Sequence, residues 1–295
     1  MTSELAALQD LLTVLEADCS LDEPERFRER IDALDRLDAF PLREPFPPLD
    51  SALAEAQLYR RARALQARME AANRRFYDVL RGEIRLGAGG RLLQVVRHAS
   101  RVTSGSEVAP GESYDHLDDL VSGVLHFSQP EPPIRSLAAE MVAYQPTPAR
   151  HIFDLLERAP CTEQDVLVDL GCGLGHVPLL AAICKGTRSV GIEREPAYVC
   201  CARQSAAELN LPNVTFFEQD ARNADISAGT LFYLYTPFRG AMLRAVLDAL
   251  RSAAARRAIR VCTFGPCMSV VAAEAWLEPL APSEPGRVGV FRSKN

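Results

Sequence analysis

The stretch VLVDLGCGLG, residues 166–175, carries the strongest fold signal in this chain. Its first five residues form a short apolar run stopped by glycines, which is typical of a buried parallel strand. The glycines that follow let the backbone turn sharply into a helix and approach a ligand closely. A glycine loop alone would also fit a dinucleotide-binding enzyme. Here the spacing is G-x-G-x-G, and the third glycine of the dinucleotide fingerprint would fall at His176.

Strand and helix patterns alternate from this stretch to the end of the chain. Besides the strand at 166–170, strands are predicted at 188–192, 214–218, 231–235, 258–264 and near 288–291. Helices are predicted between them, at about 176–185, 196–209 and 239–254. Such alternation requires a parallel sheet with helices on both faces. The sequence therefore predicts an α/β fold with a Rossmann-like, doubly wound and mostly parallel sheet.

Three carboxylates stand at the ends of the first three strands. Asp169 lies just before the glycine turn, where it can attract an ammonium group and would repel a pyrophosphate. Glu193 ends VGIE, where an acid can bind both ribose hydroxyls. Asp220 follows VTFFE, where it can accept a hydrogen bond from an adenine amino group beside the Ala221 backbone. An ammonium, a ribose and an adenine are the groups that S-adenosylmethionine presents.

The order DLGCGLG, GIE and EQDA resembles the class I, seven-strand S-adenosylmethionine-dependent methyltransferases. The resemblance implies an enzyme with S-adenosylmethionine as its cofactor. It places eight residues at that cofactor, namely Asp169, Gly171, Cys172, Gly173, Gly175, Glu193, Asp220 and Ala221.

The C-terminal half, roughly 141–295, also resembles the small archaeal protein-lysine methyltransferases. The resemblance rests on YQPTPARHIFDLLERA at 144–159 together with the motifs above and DARNADISAGTLFYLYTPF. In those enzymes a Y-x-P-T-P segment precedes the first strand and helps to close over the cofactor. The resemblance implies that role for Tyr144, Thr147 and Pro148.

The fourth strand ends in YTPF, residues 235–238, which is expected to line the acceptor pocket. Enzymes that methylate amino groups of nucleic acids carry a polar residue, two prolines and an aromatic there. Thr236 replaces the first proline, which disfavours a nucleobase as acceptor. Tyr235, His176 and Tyr144 are the candidate catalytic residues. His176 could be a general base, a contact to the methionine carboxylate, or simply the packed first residue of a helix.

These features predict a methyltransferase that acts on a small metabolite or natural product by in-line methyl transfer. A protein-lysine N-methyltransferase is the alternative. A third hypothesis is a non-catalytic binding or scaffold protein with this fold, although the intact set of Asp169, Glu193 and Asp220 argues against it. The glycine spacing disfavours a nicotinamide oxidoreductase.

The first half of the chain has helical periodicity, so we expect an all-helical domain over 1–140 before the cofactor domain at 141–295. One helix is predicted from Ser3 to about Asp18, a second opens at Asp22 and Pro24, and the longest runs from Asp50 to about Gly82. The longest helix has a continuous apolar face, here called its seam, which comprises Leu58, Ala62, Leu65, Met69, Ala72, Phe76 and Leu80. Packing within the domain or a homodimer could bury this seam. The polar segment 100–113 is predicted to be a mobile loop. We expect the helical half to act as a lid that recognises the substrate.

The composition disfavours several classes of binding partner. A net charge of −6 disfavours broad electrostatic binding to nucleic acid. The sequence has no run of eighteen apolar residues, so no membrane partner is expected. Eight cysteines without metal-ligand spacing are typical of reduced thiols in a cytoplasmic protein, and no metal site is predicted.

Overall fold

A computed structural model of the chain describes residues 3–40, 50–101, 114–132, 140–282, 284 and 286–294. Its centre is a seven-stranded sheet with the strand order β3-β2-β1-β4-β5-β7-β6. The strands are β1 Val166–Leu170, β2 Arg188–Glu193, β3 Val214–Glu218, β4 Leu231–Tyr235, β5 Arg260–Phe264, β6 Leu277–Pro279 and β7 Gly289–Ser293.

Helices precede the sheet and alternate with its strands. Before β1 they are α1 Ser3–Ala17, α2 Phe27–Asp38, α3 Asp50–Arg85, α4 Gly90–Arg101, α5 His116–Leu125 and α6 Ala149–Arg158. Between the strands they are α7 His176–Lys185, α8 Pro196–Glu208, α9 Gly240–Ala254 and α10 Met268–Ala272.

The pairing of the strands confirms the predicted architecture. The first five strands are mutually parallel, and β7 pairs antiparallel with both β5 and β6. Helices cover both sides of this mostly parallel sheet, and helices precede it in the chain. The short strand β6 was not predicted, because three residues carry too little periodicity to separate a strand from a loop.

The core of the sheet explains why its central strands are continuous apolar runs. All five residues of β1 are buried, and so are the first four of β4. Phe232 and Leu234 of β4 pack with Val246 and Leu250 of α9 in one cluster. A strand buried on both faces has no polar side to alternate with, so its sequence is apolar throughout, apart from Asp169 near the ligand end of β1.

The chain divides into two compact units, Met1–Leu80 and Arg81–Asn295. Within the first unit the predicted seam of α3 is buried, which confirms it as a packing face. Its residues Leu58, Leu65 and Met69 form a cluster with leucines of α1 and α2, including Leu12 and Leu37. This part of the seam therefore packs against helices of its own unit.

The second helix begins later than predicted, at Phe27 instead of near Asp22. Two short 3-10 turns occupy Cys19–Asp22 and Pro24–Arg26. The fully buried Arg30 ties these turns to α2, because its Nη1 donates to the carbonyl oxygens of Leu21 (2.7 Å) and Glu23 (2.5 Å).

Three further findings bear on the predictions. No helix among the described residues is long and apolar enough to cross a membrane. All eight cysteines are free thiols. Residues 102–113 of the loop predicted at 100–113 lie outside the described residues, and α4 extends through Arg101.

Candidate active site

A cavity of about 510 Å³ lies at the carboxyl ends of the parallel strands. The sheet order places Asp220, Glu193, Asp169 and Tyr235 side by side, because they stand at the ends of β3, β2, β1 and β4. All four line the cavity. Its volume is within the roughly 300–1,000 Å³ of small-molecule sites, and its position is the usual ligand crevice of open α/β sheets.

The glycine loop is held against the end of β2. The amides of Gly171 and Cys172 both donate to the carbonyl oxygen of Ile192, at 2.8 and 3.0 Å. Gly171, Gly173 and Gly175 have φ values of +92°, +53° and +84°, which favour glycine over every other residue. A Cβ at Gly171 would lie 2.4 Å from Pro237, so the loop after β4 packs directly on this turn.

Asp169 is a buried carboxylate without a compensating donor. Its side chain is 4% exposed, and no described residue donates a hydrogen bond to it. Burial and the charge of Glu193 raise the pKa of Asp169 well above its usual range. A carboxylate in this state is stabilised by a cation placed beside it. The α-ammonium of S-adenosylmethionine is such a cation, so the residue fits the cofactor.

Glu193 organises the backbone around it. Its Oε2 accepts the amide of Gly173 at 2.9 Å, and its Oε1 accepts the amides of Arg194 and Glu195 at 2.7 and 2.8 Å. A carboxylate oxygen has two lone pairs, so Oε2 retains an acceptor site for a ribose hydroxyl. Glu193 therefore joins the glycine loop to the end of β2 and also lines the cavity.

Asp220 is already engaged by a neighbouring cation. Its carboxylate accepts the backbone amide of Arg222 at 2.9 Å and forms an ion pair with the Arg222 guanidinium at 2.6 Å. The hydrogen bonds from Arg222 lower the pKa of Asp220, so this carboxylate stays ionised at neutral pH. Its remaining lone pair is the acceptor left for an adenine amino group, and Ala221 lines the cavity beside it.

Residues 141–148, here called the strap, cross the cavity before α6. Met141 forms an isolated bridge with Phe238, and the amide of Val142 donates to the carbonyl oxygen of Pro237 at 3.2 Å. Tyr144 lies over Gly173, where an added Cβ would come within 2.1 Å of its ring. Its ring also packs against that of Tyr198 in a tilted arrangement, with centroids 4.9 Å apart.

The strap ends in a hydrogen bond to the sheet. Thr147 is 8% exposed, lines the cavity and places its Oγ1 3.1 Å from the hydroxyl of Tyr233. Pro148 is buried but does not line the cavity. It is the residue before the first turn of α6, and its carbonyl oxygen accepts the amide of His151 at 2.9 Å.

The loop after β4 has a conformation that excludes proline at one position. Thr236 has a φ of +41°, whereas the proline ring requires about −65°. Its Oγ1 accepts the amide of Cys267 at 3.1 Å and donates to the carbonyl oxygen of Phe264 at 3.3 Å. Thr236 is therefore a structural link between the β4 and β5 loops. The arrangement of a polar residue followed by two prolines cannot form here without rebuilding the loop.

His176 begins α7 at the wall of the cavity and packs against Phe127, with ring centroids 4.7 Å apart. Burial lowers its pKa to about 4, so the imidazole is neutral at pH 7 and binds a proton weakly. A general base works best when its pKa is near the operating pH, so this environment favours packing or hydrogen bonding over proton abstraction.

The helix α5 reaches the strap. The hydroxyl of Tyr114 donates to the carbonyl oxygen of Pro146 at 3.0 Å, and Asp118 accepts the amide of Ala149 at 2.7 Å. A capping box of Asp115 and Asp118 holds the start of this helix. Part of the predicted 1–140 region thus lies beside the site and belongs to the second compact unit.

The structure brings ten of the predicted site residues to the cavity, namely Tyr144, Thr147, Asp169, Gly171, Cys172, His176, Glu193, Asp220, Ala221 and Tyr235. Gly173 and Gly175 shape the turn behind it, against Tyr144 and Phe216. Tyr198 and Tyr233 also line the cavity, although neither was predicted from the sequence. Tyr233 lies inside an apolar strand, where an aromatic residue gives no signal beyond packing. Among the described residues no group of three His, Cys, Asp or Glu could hold a metal ion.

No protein-family model and no curated protein matches this sequence. Among solved structures, the chain is similar to a protein from Salinibacter ruber described as an RNA methyltransferase in complex with S-adenosyl-L-homocysteine. The two are 31% identical, and the match covers 50% of this chain and 92% of that one, with a TM-score of 0.39. This sequence similarity spans nearly the whole of the other protein.

Two further solved structures are similar to this chain at lower sequence identity. The putative methyltransferase yhhF from Escherichia coli is 16% identical over 50% of this chain and 87% of its own, with a TM-score of 0.42. Precorrin-6y C5,15-methyltransferase from Geobacter metallireducens is 17% identical over 54% and 92%, with a TM-score of 0.38. At sequence identities of 16% and 17%, neither similarity bears on the acceptor.

Proposed function

Because this chain belongs to the S-adenosylmethionine-dependent methyltransferases, we propose that it methylates a small metabolite or natural product. The cofactor supplies a methyl group already activated on a sulfonium, so the protein's task is to position the acceptor. Correct positioning alone contributes up to about 7–11 kcal/mol of barrier reduction.

One observation carries this proposal: the lining of the cavity around the end of β4 is mostly uncharged. It comprises Tyr235 at the end of β4, Thr236 and Pro237 after it, and Pro266 after β5, while Arg239 is the charged residue of the β4 loop that also lines the cavity. The hydroxyl of Thr236 is already bonded within the protein. Placing a lysine ammonium against this surface, in a cavity that also holds Arg239, costs free energy unless a counter-charge accompanies it. A neutral, compact acceptor fits it best.

In this proposal the three strand-end carboxylates, the strap and Tyr235 each have a separate role. Asp169 holds the ammonium of the cofactor, Glu193 its ribose and Asp220 its adenine. The strap covers the crevice, which excludes water and strengthens these polar contacts. Tyr235 stands at the end of β4 beside the acceptor, with its ring 5.3 Å from that of Phe264.

Protein lysine is the second candidate acceptor, and the strap favours it. Tyr144 and Tyr198 present two aromatic rings at the cavity wall, and aromatic faces attract ammonium groups. The resemblance of 144–159 to protein-lysine methyltransferases stays a prediction.

RNA is a third candidate, because the Salinibacter ruber protein is described as an RNA methyltransferase. Two features of this chain weigh against it. The positive φ of Thr236 excludes the double-proline loop of enzymes that methylate base amino groups. The net charge of −6 provides no broad basic surface for a phosphate backbone.

The test is to supply S-adenosylmethionine with an isotopically labelled methyl group to a cell extract divided into small molecules, protein and RNA. We expect the label in the small-molecule fraction, where mass spectrometry identifies the product. The Asp169→Asn variant is the matched control and should transfer much less label under the same conditions. Label confined to protein or to RNA would contradict a metabolite acceptor and identify the alternative.

A further inference from the structure

Tyr233 is a polar residue inside an otherwise apolar strand. It is the register partner of Asp169, because β1 and β4 are parallel neighbours. Register partners on neighbouring strands project to the same face of a sheet, so both side chains reach the same cavity. The side chain of Tyr233 is 1% exposed. A tyrosine hydroxyl buried to this extent needs a hydrogen-bond partner.

That partner is Thr147 of the strap, whose Oγ1 lies 3.1 Å from the Tyr233 hydroxyl. In a pair of hydroxyls one donates and the other accepts, so one hydrogen remains for a third group. Burial raises the pKa of Tyr233 well above its usual value, which keeps the phenol protonated as a donor. When Tyr233 donates, the hydrogen of Thr147 is the one left for a ligand.

The cavity wall therefore combines a carboxylate with a hydroxyl donor. Asp169 is buried and accepts no hydrogen bond from the described residues. Thr147 is 8% exposed and lines the same cavity. A carboxylate beside a hydroxyl donor is complementary to the ammonium and the carboxylate of a free α-amino acid group.

We propose that Tyr233 is a positioning residue for the amino-acid end of the cofactor. It donates to Thr147 and so directs the Thr147 hydroxyl toward the ligand carboxylate, while Asp169 takes the ammonium. This inference rests on the proposed function, since it requires S-adenosylmethionine or its product in the cavity. Tyr233 acts through Thr147 and does not touch the methyl group.

The experiment compares two ligands by calorimetry. S-adenosylhomocysteine has the amino-acid group, whereas 5′-methylthioadenosine keeps the adenosine and the sulfur but lacks it. Tyr233→Phe should weaken S-adenosylhomocysteine about tenfold, as expected for one hydrogen bond to a charged group. It should leave 5′-methylthioadenosine within about twofold, because that ligand makes no such bond.

Variants of Thr147 provide the controls. Thr147→Val should resemble Tyr233→Phe, and the double variant should be no weaker than the weaker single one, because both changes remove one linked interaction. Thr147→Ser keeps the hydroxyl and should bind like the parent. This selectivity is a readout that a general loosening of the fold would not produce.

Two results would count against different ideas. A parent protein that binds neither ligand would contradict the proposed function. A parent that binds both, with Tyr233→Phe weakening both equally or neither, would overturn the role of Tyr233 and leave the proposed function in place.

Discussion

Asp169 has opposite effects on folding and on binding. Burial and the charge of Glu193 raise the pKa of Asp169 in the folded protein. Below the unfolded-state pKa the side chain is protonated in both states, and the folded protein has its full stability. Stability is then lost as the pH rises through the raised pKa of the folded state. At neutral pH Asp169 therefore destabilises the unliganded protein, and a bound ammonium would offset this cost.

Asp169→Asn should consequently raise the melting temperature of the unliganded protein and reduce its affinity for S-adenosylhomocysteine. A gain of about 1 kcal/mol corresponds to roughly 2–4 °C for a domain of this size. The loss of a charged partner should cost about 1.5–3 kcal/mol of binding. Thermal melts with and without ligand measure both. A variant that melts lower and still binds like the parent would show that Asp169 has a structural role only.

Glu193 and Asp220 should differ in how much cofactor affinity is lost when each is replaced by alanine. Glu193→Ala removes an acceptor of three backbone amides and of the ribose, so we expect about 1–3 kcal/mol less binding and a lower melting temperature. Asp220→Ala should cost less, because Arg222 already competes for its carboxylate. Calorimetry with S-adenosylhomocysteine ranks the two. The reverse ranking would mean that adenine recognition dominates at the strand ends.

At the level of elements, the strap and the glycine loop depend on each other. Gly173→Ala would force a Cβ to within 2.1 Å of the Tyr144 ring at a φ of +53°. The backbone strain alone costs roughly 1–2 kcal/mol. We expect a lower melting temperature and weaker binding of S-adenosylhomocysteine, because the strap can no longer lie on the loop.

Gly82 provides the matched control in another element. It lies in α3, has no positive φ, and an added Cβ would meet nothing within 4 Å. Gly82→Ala should therefore stabilise the protein by about 0.5–1 kcal/mol and leave binding unchanged. If Gly173→Ala behaves in the same way, the contact between strap and loop does not hold the site together.

At the level of the whole molecule, we propose that the N-terminal helices take part in choosing the acceptor. The second compact unit begins at Arg81 and contains the whole sheet with α5 and the strap. A chain beginning at residue 81 should therefore still bind S-adenosylhomocysteine but lose label transfer to its acceptor. Calorimetry and the labelling assay measure the two properties separately.

The full-length Asp169→Asn variant is the comparison, since it should weaken S-adenosylhomocysteine binding as well as label transfer. Full label transfer by the shortened chain would exclude a role for residues 1–80 in acceptor choice. Loss of S-adenosylhomocysteine binding would show that the first unit supports the cofactor site itself, which contradicts the proposed division of labour.

Local patterns were enough to predict the sheet and most of the proposed cofactor residues that line the cavity. The bounds of α7 and β3 match their predicted ranges, because a glycine turn and an apolar run are properties of consecutive residues. The seam of α3 was readable for the same reason, since residues three and four apart share one helix face. The carboxylates at 169, 193 and 220 followed from the rule that parallel strands end at one edge of the sheet.

Long-range packing settled what those patterns could not express. The pairing of Thr147 with Tyr233 joins residues 86 positions apart, and Arg30 meets Asn73 across 43 positions. Neither pair follows from periodicity, because a hydroxyl or guanidinium finds its partner through the way strands and helices are arranged in space. The positive φ of Thr236 likewise depends on bonds to Cys267 and Phe264. Sequence periodicity records how each element faces the core, whereas the contacts between elements exist only after they have packed.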